Sequence, residues 1–513
     1  MKNLRYCASY DILILGTIYL ETDLKTTNDL AGRDEEKKTL DEILSSNKSE
    51  FLAVYGRRRV GKTFLIRNFF QKKNVYFFHV TGINKEPMKR QLLEFTKEIS
   101  RVFFHGMDLK EKKNWFDTFQ SLTEILETQT AKNKKIILFF DEFPWMATAK
   151  SRLVQALDHY WNHHWSQNNR IKLVICGSSA SWIIKNIIND KGGLHNRLTK
   201  TMLLDPMTLK ETQNLLLKRG IRLNHKHITE LYMVTGGIPF YLSHISKGLS
   251  SSQNIEKLAF SKNSPLLTEF DKLYSSLFHN HTSYIEIIRF IAKHRYGVSQ
   301  DDLFSQIKDL TKGGTSLQKL KDLEDAGFII AFTPFNHKKK GVYYKVIDEY
   351  SLFYFCWIEP IKESLLSKGF RKGYWDSLMK SPSWHSWAGY SFEALCYKHL
   401  HPISEALHLS QTAIPTTWKH TPKKNSEETG AQIDLLFDRD DDAITICEIK
   451  YSQTPFIIDK EYAKNLKTKI EVFKKQTKTE KQIFLAIISA NGLKKTMYSE
   501  ELVDAMITLE DLY

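Results

Sequence analysis

The chain has 513 residues, of which 42% are hydrophobic and 26% charged, with 12 Pro and 23 Gly. This composition excludes fibrous repeats and extended disorder, and the length predicts about three domains. Lys and Arg outnumber Asp and Glu by 74 to 59, giving a net charge of +15. Such an excess favours a polyanionic partner such as nucleic acid, although it also occurs in lysine-rich proteins that have none.

The N-terminal segment 1–28 contains one apolar stretch, residues 12–20, between Asp11 and Glu21. It is too short to span a bilayer and lacks a cleavage site for a signal peptide. The five cysteines are widely spaced and show no zinc-finger spacing, so neither a disulfide framework nor a structural zinc site is expected. We therefore predict a cytoplasmic protein without a membrane span. Residues 1–28 are interpreted as an extension, or as sequence upstream of the true start.

Residues 51–66, FLAVYGRRRVGKTFLI, carry a phosphate-binding motif. An apolar run predicts a buried strand ending at Tyr55, FLIRNFF predicts a helix, and the sequence between them fits G-x-x-x-x-G-K-[ST]. Backbone N–H groups of such a loop surround the phosphates of ATP, Lys62 would reach the β- and γ-phosphates, and the Thr63 hydroxyl would bind Mg²⁺. The predicted nucleotide-binding residues of this loop are Gly56, Arg57, Arg58, Arg59, Val60, Gly61, Lys62 and Thr63.

A second acidic motif follows in KKIILFFDEFPWM. The apolar run 136–140 predicts a strand buried on both faces, which delivers Asp141 and Glu142 to the carboxyl edge of the sheet, where ligands bind. We expect Asp141 to contribute to the Mg²⁺ site and Glu142 to polarise the attacking water.

Three further residues near strand ends are candidates for contacts with the nucleotide. After the strand LVIC, Ser178 or Ser179 could contact its γ-phosphate, although a turn with an N-capping serine explains the same residues. Arg197 precedes another apolar run and could act as an arginine finger on nucleotide bound to a neighbouring subunit of a homo-oligomer. A surface salt bridge is the alternative for Arg197.

Residues 30–260 resemble the archaeal-type ATPases of the STAND branch of the AAA+ superfamily. The matching pieces include AGRDEEKKTLDEIL, YGRRRVGKT, LFFDEFPWM, CGSS and TGGIPFYL, in the family's order. The resemblance implies that the first piece lies near the adenine base. It also implies that Gly237 and Pro239, in the Gly-x-Pro of a helical lid, contact the nucleotide.

From Ser283 onward, the sequence predicts three helices followed by a hairpin with a basic tip at residues 338–340, as in a winged-helix module. The helix 317–323 would be the recognition helix. Side chains that could face phosphates are Lys312, Gln318, Lys319 and Lys321. A spacer role between domains is the alternative, since the same helix carries Asp322, Glu324 and Asp325.

The C-terminal region contains a second constellation of carboxylates. Glu393 lies on a predicted helix, and AQIDLLFDRDDDAITICEIK predicts two adjacent strands that carry Asp434 and the Glu-x-Lys of Glu448 and Lys450. Asp434, Glu448 and Glu393 would bind Mg²⁺, and Lys450 would activate the attacking water or stabilise a pentacovalent phosphate. The pattern resembles the PD-(D/E)xK phosphodiesterases, although Gln432 stands where many relatives carry an acid. The lysine-rich stretch downstream could be a phosphate track or a solvated face.

The predicted fold is a multidomain α/β protein. Its parts are an extension (1–28), a parallel-sheet P-loop ATPase core (29–205), a helical lid (206–265), a winged-helix-like domain (266–360) and a restriction-endonuclease-like α/β domain (361–513).

Two functions remain open. In the first, ATP hydrolysis controls DNA binding or cleavage by the C-terminal domain; in the second, the protein is a signalling or scaffold switch whose nuclease-like domain is inactive and binds a partner.

Overall fold

The computed structural model describes residues 30–189, 194, 196–278, 280–308, 310–336, 341–368, 373–422 and 428–513. The predicted extension 1–28 and the predicted basic tip 338–340 lie outside the described residues. In the described part of the chain, no helix is long and apolar enough to cross a membrane. Cys176, Cys356, Cys396 and Cys447 are free thiols.

The N-terminal half of the chain is built on a five-stranded parallel sheet in the order β2-β3-β4-β1-β5. The strands predicted from the apolar runs before Tyr55, Asp141 and Gly177 are confirmed as β1, β3 and β4. The elements are α1 (Asp34–Ser45), β1 (Glu50–Tyr55), α2 (Lys62–Phe70), β2 (Val75–Thr81), α3 (Met88–Phe103), α4 (Trp115–Thr128), β3 (Lys135–Asp141), α5 (Phe143–Met146), α6 (Leu153–His163), β4 (Ile171–Gly177), α7 (Ala180–Ile183) and β5 (Lys200–Leu203).

Alternate residues of β1 face two different apolar cores, because side chains of a strand point to opposite faces of its sheet. Phe51 and Ala53 pack with residues of α3, α4 and α6. Leu52 and Val54 pack with residues of α1 and α2, in a core that continues into the rest of the chain. Both faces of the sheet are therefore covered, which is why its strands read as uninterrupted apolar runs.

Helices follow the parallel sheet, and then a small antiparallel sheet in the order β6-β8-β7. The helices are α8 (Leu209–Lys218), α9 (His225–Thr235), α10 (Pro239–Leu242), α11 (Ser251–Ala259), α12 (Pro265–Leu277) and α13 (His281–Ala292). Next come β6 (Val298–Ser299), α14 (Gln300–Gln306), α15 (Gly314–Asp325), β7 (Ile329–Phe332), β8 (Tyr343–Val346) and α16 (Glu349–Phe353). We refer to residues 206–265 as the lid and to residues 266–360 as the middle region.

The C-terminal region, residues 361–513, contains a mixed sheet in the order β13-β12-β11-β10-β9. Strands β9, β10 and β11 are antiparallel, whereas β11, β12 and β13 are parallel. The elements are α17 (Lys362–Ser367), α18 (Tyr374–Leu378), α19 (Pro382–Lys398), α20 (Leu400–Ala406), β9 (Ile414–His420), β10 (Ala431–Asp438), β11 (Ala443–Lys450), α21 (Lys460–Thr477), β12 (Gln482–Ser489), α22 (Met497–Leu502) and β13 (Ala505–Ile507).

The two faces of this mixed sheet have different neighbours. Leu435 and Cys447 belong to the large core shared with the lid, the middle region and α19. Leu436 and Ile446 pack instead with residues of α21. The C-terminal sheet is thus joined to the preceding regions by a continuous apolar core, and the predicted division points at 206, 266 and 361 stay predictions.

Candidate functional sites

The predicted phosphate-binding loop lies between β1 and α2. Gly56 and Gly61 have φ angles of 138° and 95°, a range that favours glycine. A Cβ atom on Gly56 would lie 2.4 Å from the carbonyl oxygen of Leu204, so no larger residue fits there. The Lys62 ammonium is buried inside the loop and donates to the carbonyl oxygens of Gly56 (2.8 Å) and Arg57 (2.9 Å). Burial lowers the pKa of Lys62.

Asp141 ends β3 and faces the first turn of α2. Its carboxylate accepts hydrogen bonds from the Thr63 hydroxyl at 2.9 Å and from the Cys176 thiol at 2.8 Å. Burial would raise the pKa of Asp141, but the hydrogen bonds from His79 and Cys176 outweigh burial and lower it. A hydroxyl and a charged carboxylate side by side are hard oxygen ligands of the kind Mg²⁺ prefers.

Glu142 follows Asp141 with a left-handed backbone, φ 46°. The backbone N–H and the hydroxyl of Ser178 donate to the same carboxylate oxygen, Oε2, at 3.0 and 2.8 Å. Burial raises the pKa of Glu142. Ser178 therefore positions Glu142, a contact that the sequence did not predict, while Ser179 is the residue that precedes α7. The predicted phosphate contact of Ser178 stays a prediction.

The arginines of the loop contact the lid and the middle region, which the sequence did not predict. Arg57 is buried and forms an ion pair with Asp348, just after β8. The Arg59 guanidinium donates to Glu269 of α12 at 2.8 Å and lies 3.6 Å from the ring centroid of Phe240 in α10. Asp348 is followed by Glu349, and Asp271 lies two residues after Glu269. The sequence therefore does not single out either acid as a partner of the loop.

Other predicted nucleotide-binding residues border the same loop. Gly237 has φ 69°, and its Cβ would clash with the carbonyl oxygen of Met207 at 2.1 Å. Pro239 begins α10, directly before the ring that stacks on Arg59. Arg58 is half-buried between Arg57 and Arg59. The Gly-x-Pro segment is thus close to the phosphate-binding loop through Phe240 and Arg59. Its contact with the nucleotide, which the resemblance implies, stays a prediction.

Arg197 lies on the turn before β5, and its side chain is exposed. Its backbone N–H donates to the carbonyl oxygen of Leu194 at 3.0 Å. An exposed arginine at this edge of the sheet is accessible to a second subunit, and its role as a finger stays a prediction.

The second predicted cluster lies around one cavity of about 780 Å³ in the C-terminal region. Glu393 comes from α19, Asp434 from β10, and Glu448 and Lys450 from β11; all four line the cavity. The register pairs Leu435 with Cys447, which places Asp434 and Glu448 at neighbouring positions. A bulge in β10 between Ile433 and Leu436 redirects the strand beside Asp434.

Glu448 and Glu393, which both line this cavity, each have an ammonium partner. Glu448 lies 2.9 Å from the ammonium of Lys450 and 2.5 Å from that of Lys469 on α21. Although burial opposes them, these two positive charges lower the pKa of Glu448 to about 2. Glu393 pairs with Lys345 of β8, in the middle region. Burial nevertheless raises the pKa of Glu393 to about 7.

Asp434 has a neutral partner, since the Gln432 amide donates to its carboxylate at 2.9 Å. Burial and the charge of Glu448 raise the pKa of Asp434. Within the described ranges, no three His, Cys, Asp or Glu side chains are grouped so as to hold a metal ion. The set of Glu393, Asp434 and Glu448 as metal ligands therefore stays a prediction. Sequence reasoning missed Lys345, and it treated Lys469 only as one of many lysines on its helix.

The predicted recognition helix is α15, and several of its polar side chains are paired with acids. Lys321 lies 3.1 Å from both Glu324 and Asp325. Lys312 pairs with Asp301 at 3.0 Å, and the Gln318 amide donates to Asp322 at 2.9 Å. Of the four predicted phosphate contacts, Lys319 is the one for which no such acid is seen in the described structure. DNA contact through this helix stays a prediction.

Comparison with known proteins agrees with the ATPase prediction. Residues 30–245 match the family described as an ATPase domain predominantly from Archaea. An uncharacterized protein of Methanocaldococcus jannaschii is 27% identical over 417 residues, which cover 80% of this chain and 84% of that protein.

Among solved structures, the Walker-type ATPase of Pyrococcus abyssi is 18% identical; the match covers 64% of this chain and 96% of that one, with a TM-score of 0.45. The ORC2 protein of Aeropyrum pernix, solved with ADPNP and ADP, is 14% identical; the match covers 69% of this chain and 96% of that one, with a TM-score of 0.43. The matched residues 30–245 hold the loop, Asp141 and Glu142, and the match supports an ATPase domain in this part of the chain.

Proposed function

We propose that this protein hydrolyses ATP with Mg²⁺ and couples its nucleotide state to DNA binding or cleavage at the C-terminal cavity. The observation that carries the proposal is the placement of Glu393, Asp434, Glu448 and Lys450 around one cavity in a chain that also holds a phosphate-binding loop. The finer assignments to the STAND branch and to a PD-(D/E)xK-like domain are part of the same proposal.

In the ATPase domain, the oxygen ligands of Thr63 and Asp141 fit Mg²⁺, which would offset negative charge that develops on the phosphates. Lys62 would exchange its contacts with the loop carbonyls for contacts with the phosphates. Glu142 is held by two hydrogen bonds to one oxygen, which leaves Oε1 to accept a proton from water. These residues thus supply binding, charge stabilisation and a positioned base.

At the C-terminal cavity, the chemistry that fits is attack of water on a phosphodiester. Asp434 and Glu448 supply hard oxygen ligands for a divalent cation, and Lys450 supplies a positive charge beside them. The basic side chains Arg295, Lys464 and Lys469 border the same cavity. Tyr296, which is 51% exposed at its edge, offers an aromatic face on which a base can stack. This surface suits a nucleic-acid strand.

The proposal is tested with supercoiled plasmid and Mg²⁺, with and without ATP, using the wild-type protein, Lys450→Ala and Lys62→Ala. We expect cleavage by the wild type, loss of cleavage in Lys450→Ala with ATP turnover retained, and loss of ATP turnover in Lys62→Ala. Cleavage that persists in Lys450→Ala would show that the assigned site is wrong.

One observation favours the second function, an ATP-dependent switch that binds a partner. The ammonium groups of Lys450, Lys469 and Lys345 already balance the charges of Glu448 and Glu393. If the wild type does not cleave plasmid while Lys62→Ala abolishes ATP turnover, the switch function is supported.

The arginine-finger role of Arg197 is tested by comparing Arg197→Ala with the wild type at protein concentrations below and above self-association. We expect the wild type to gain ATP turnover at concentrations at which it self-associates, and Arg197→Ala to lack this gain. The reason is that the finger acts across the subunit interface. Unchanged turnover of the assembled variant would exclude this role.

A further inference from the structure

Residues 345–349, at the end of β8 and the start of α16, contain three buried charged side chains. Lys345 is 2% exposed, and Asp348 and Glu349 are 0% exposed. Each forms an ion pair with a different part of the molecule: Lys345 with Glu393, Asp348 with Arg57, and Glu349 with Lys398. We call these residues the coupling segment.

The coupling segment contacts the phosphate-binding loop through Asp348. The Arg57 guanidinium donates to Asp348 and lies 4.7 Å from the ring centroid of Phe328. The carbonyl oxygen of Arg57 accepts a hydrogen bond from Lys62 at 2.9 Å. A phosphate group in the loop would compete for the Lys62 ammonium and remove this contact from Arg57. Nucleotide binding would therefore act directly on the residue that holds Asp348.

At its other end, the segment contacts α19 at two positions. Lys345 pairs with Glu393, which lines the C-terminal cavity, and Glu349 pairs with Lys398 at the last residue of the helix. Glu349 also lies against the lid, since a Cβ atom on Gly236 would be 2.7 Å from its Oε2. Gly236 directly precedes the Gly-x-Pro segment. The phosphate-binding loop, the lid and the C-terminal cavity thus meet at these five residues.

The pairs are expected to shift together, because separating one buried ion pair leaves an uncompensated charge in an apolar surrounding. Asp348 also accepts a hydrogen bond from the Ser351 N–H at 2.9 Å, which ties it to the start of α16. Two atoms of this network, Arg57 Nη2 and Glu349 Oε1, are buried without a hydrogen-bond partner in the described structure. Buried polar atoms without hydrogen-bond partners raise the free energy of the present arrangement. A rearrangement that gives these atoms partners is therefore accessible when new contacts offset the free energy of separating the present ion pairs.

We propose that the coupling segment transmits the state of the phosphate-binding loop to Glu393, with Asp348 and Lys345 as positioning residues. The inference rests on the proposed function only in treating the C-terminal cavity as the controlled site. Because coupling between two sites is reciprocal, we expect a change at the cavity end of the segment, such as one at Lys345, to alter nucleotide affinity.

The experiment measures binding of ADP and of a non-hydrolysable ATP analogue to the full-length wild type, Lys345→Met, Asp348→Asn and the double variant. We expect Lys345→Met to change the Kd of at least one nucleotide by about fivefold or more, a typical lower bound for coupled sites. In the Asp348→Asn background, Lys345→Met should change the Kd by less than about twofold, because the connection through the ion pair of Arg57 and Asp348 is already interrupted. Lys362→Met is the matched control, since it removes a lysine of α17 that pairs with Asp271 of α12, outside the segment.

Hydrogen exchange gives a second measurement that needs neither nucleotide affinity nor cleavage. The ATP analogue should change amide exchange in 382–398 of the wild type, but not in Asp348→Asn. Lys345→Arg, which keeps the charge, should give the wild-type response. If Lys345→Met does not fold, Lys345→Gln, which also removes the charge, takes its place.

The two proposals fail in different ways. Additive effects of Lys345→Met and Asp348→Asn on Kd, or no nucleotide-dependent exchange in 382–398, would overturn the coupling even if plasmid is cleaved. Absence of plasmid cleavage would instead overturn the nuclease function. The coupling would still be tested by the Kd values of Lys345→Met, Asp348→Asn and the double variant.

Discussion

Asp141 and Glu142 of the ATPase domain and Glu448 of the C-terminal cavity lie on or just beyond buried strands, but their partners differ. Asp141 and Glu142 are held mainly by neutral donors, the hydroxyls of Thr63 and Ser178 and the thiol of Cys176. Glu448 is held by two ammonium groups. Neutral donors fix the direction of a carboxylate without cancelling its charge, whereas ammonium groups do both. The first arrangement leaves the full negative charge of Asp141 and Glu142 to attract a metal ion or a proton. In the second arrangement, a metal cation must compete with the ammonium groups for the charge of Glu448.

The largest expected effect comes from removing the charge of Glu142 while keeping its hydrogen bonds. Glu142→Gln retains an oxygen that can accept from Ser178, so its position should persist. We expect ATP turnover to fall by about 1,000-fold, within the range for loss of a general base. Binding of a fluorescent ATP analogue should stay within about threefold of the wild type, because the substitution removes no phosphate contact.

Ser178→Ala is the comparison for this variant. It removes one of two donors to Glu142 but leaves the backbone N–H in place, so turnover should fall by about tenfold or less. A larger loss in Ser178→Ala than in Glu142→Gln would show that Ser178 acts on the phosphate itself, as the sequence suggests, rather than through Glu142.

A second test concerns a buried group with neutral partners alone. The imidazole of His399 donates from Nδ1 to the carbonyl oxygen of Leu395 at 2.9 Å and accepts at Nε2 from the N–H of Leu209 at 3.1 Å. A second proton would place two donors face to face. Burial lowers the pKa of His399 from 6.5 to about 4.

Since the unfolded chain binds this proton more readily, His399 stabilises the fold fully above pH 6.5, and the contribution is lost as the pH falls toward 4. The loss amounts to about 3 kcal/mol. Thermal unfolding measured at intervals of pH should show a falling Tm across this range, and His399→Gln should flatten that part of the curve. An unchanged slope in His399→Gln would show that other groups cause the acid sensitivity; His401→Gln, an exposed neighbour, is the control.

The sequence predicts the elements of both sites better than their partners. The strands before Asp141 and around Asp434 and Glu448 are confirmed, because continuous apolar runs report burial on both faces. The loop is identified by glycines whose backbone angles other residues rarely adopt. The partners of Arg57 and Lys345 could not be predicted, because they are far away in the chain and chain-distant ion pairs leave no periodic pattern. Their roles depend on how separate regions pack, which one sequence does not specify.

The smallest expected effect tests whether ammonium partners weaken cation binding at the C-terminal cavity. Lys469→Met removes the ammonium 2.5 Å from Glu448 and keeps a side chain of similar length. A divalent cation then competes with one positive charge fewer, so the Kd for Mn²⁺ should fall by about tenfold, equivalent to about 1.4 kcal/mol. Titration should be done in an Asp141→Asn background, which removes binding near the phosphate-binding loop. Lys467→Met is the matched control, because Lys467 lies on the same helix and pairs with Glu501 at 2.7 Å. If both lysine variants bind Mn²⁺ equally, the charge of Lys469 does not limit access to Glu448, and the contrast between the two carboxylate sites does not extend to metal binding.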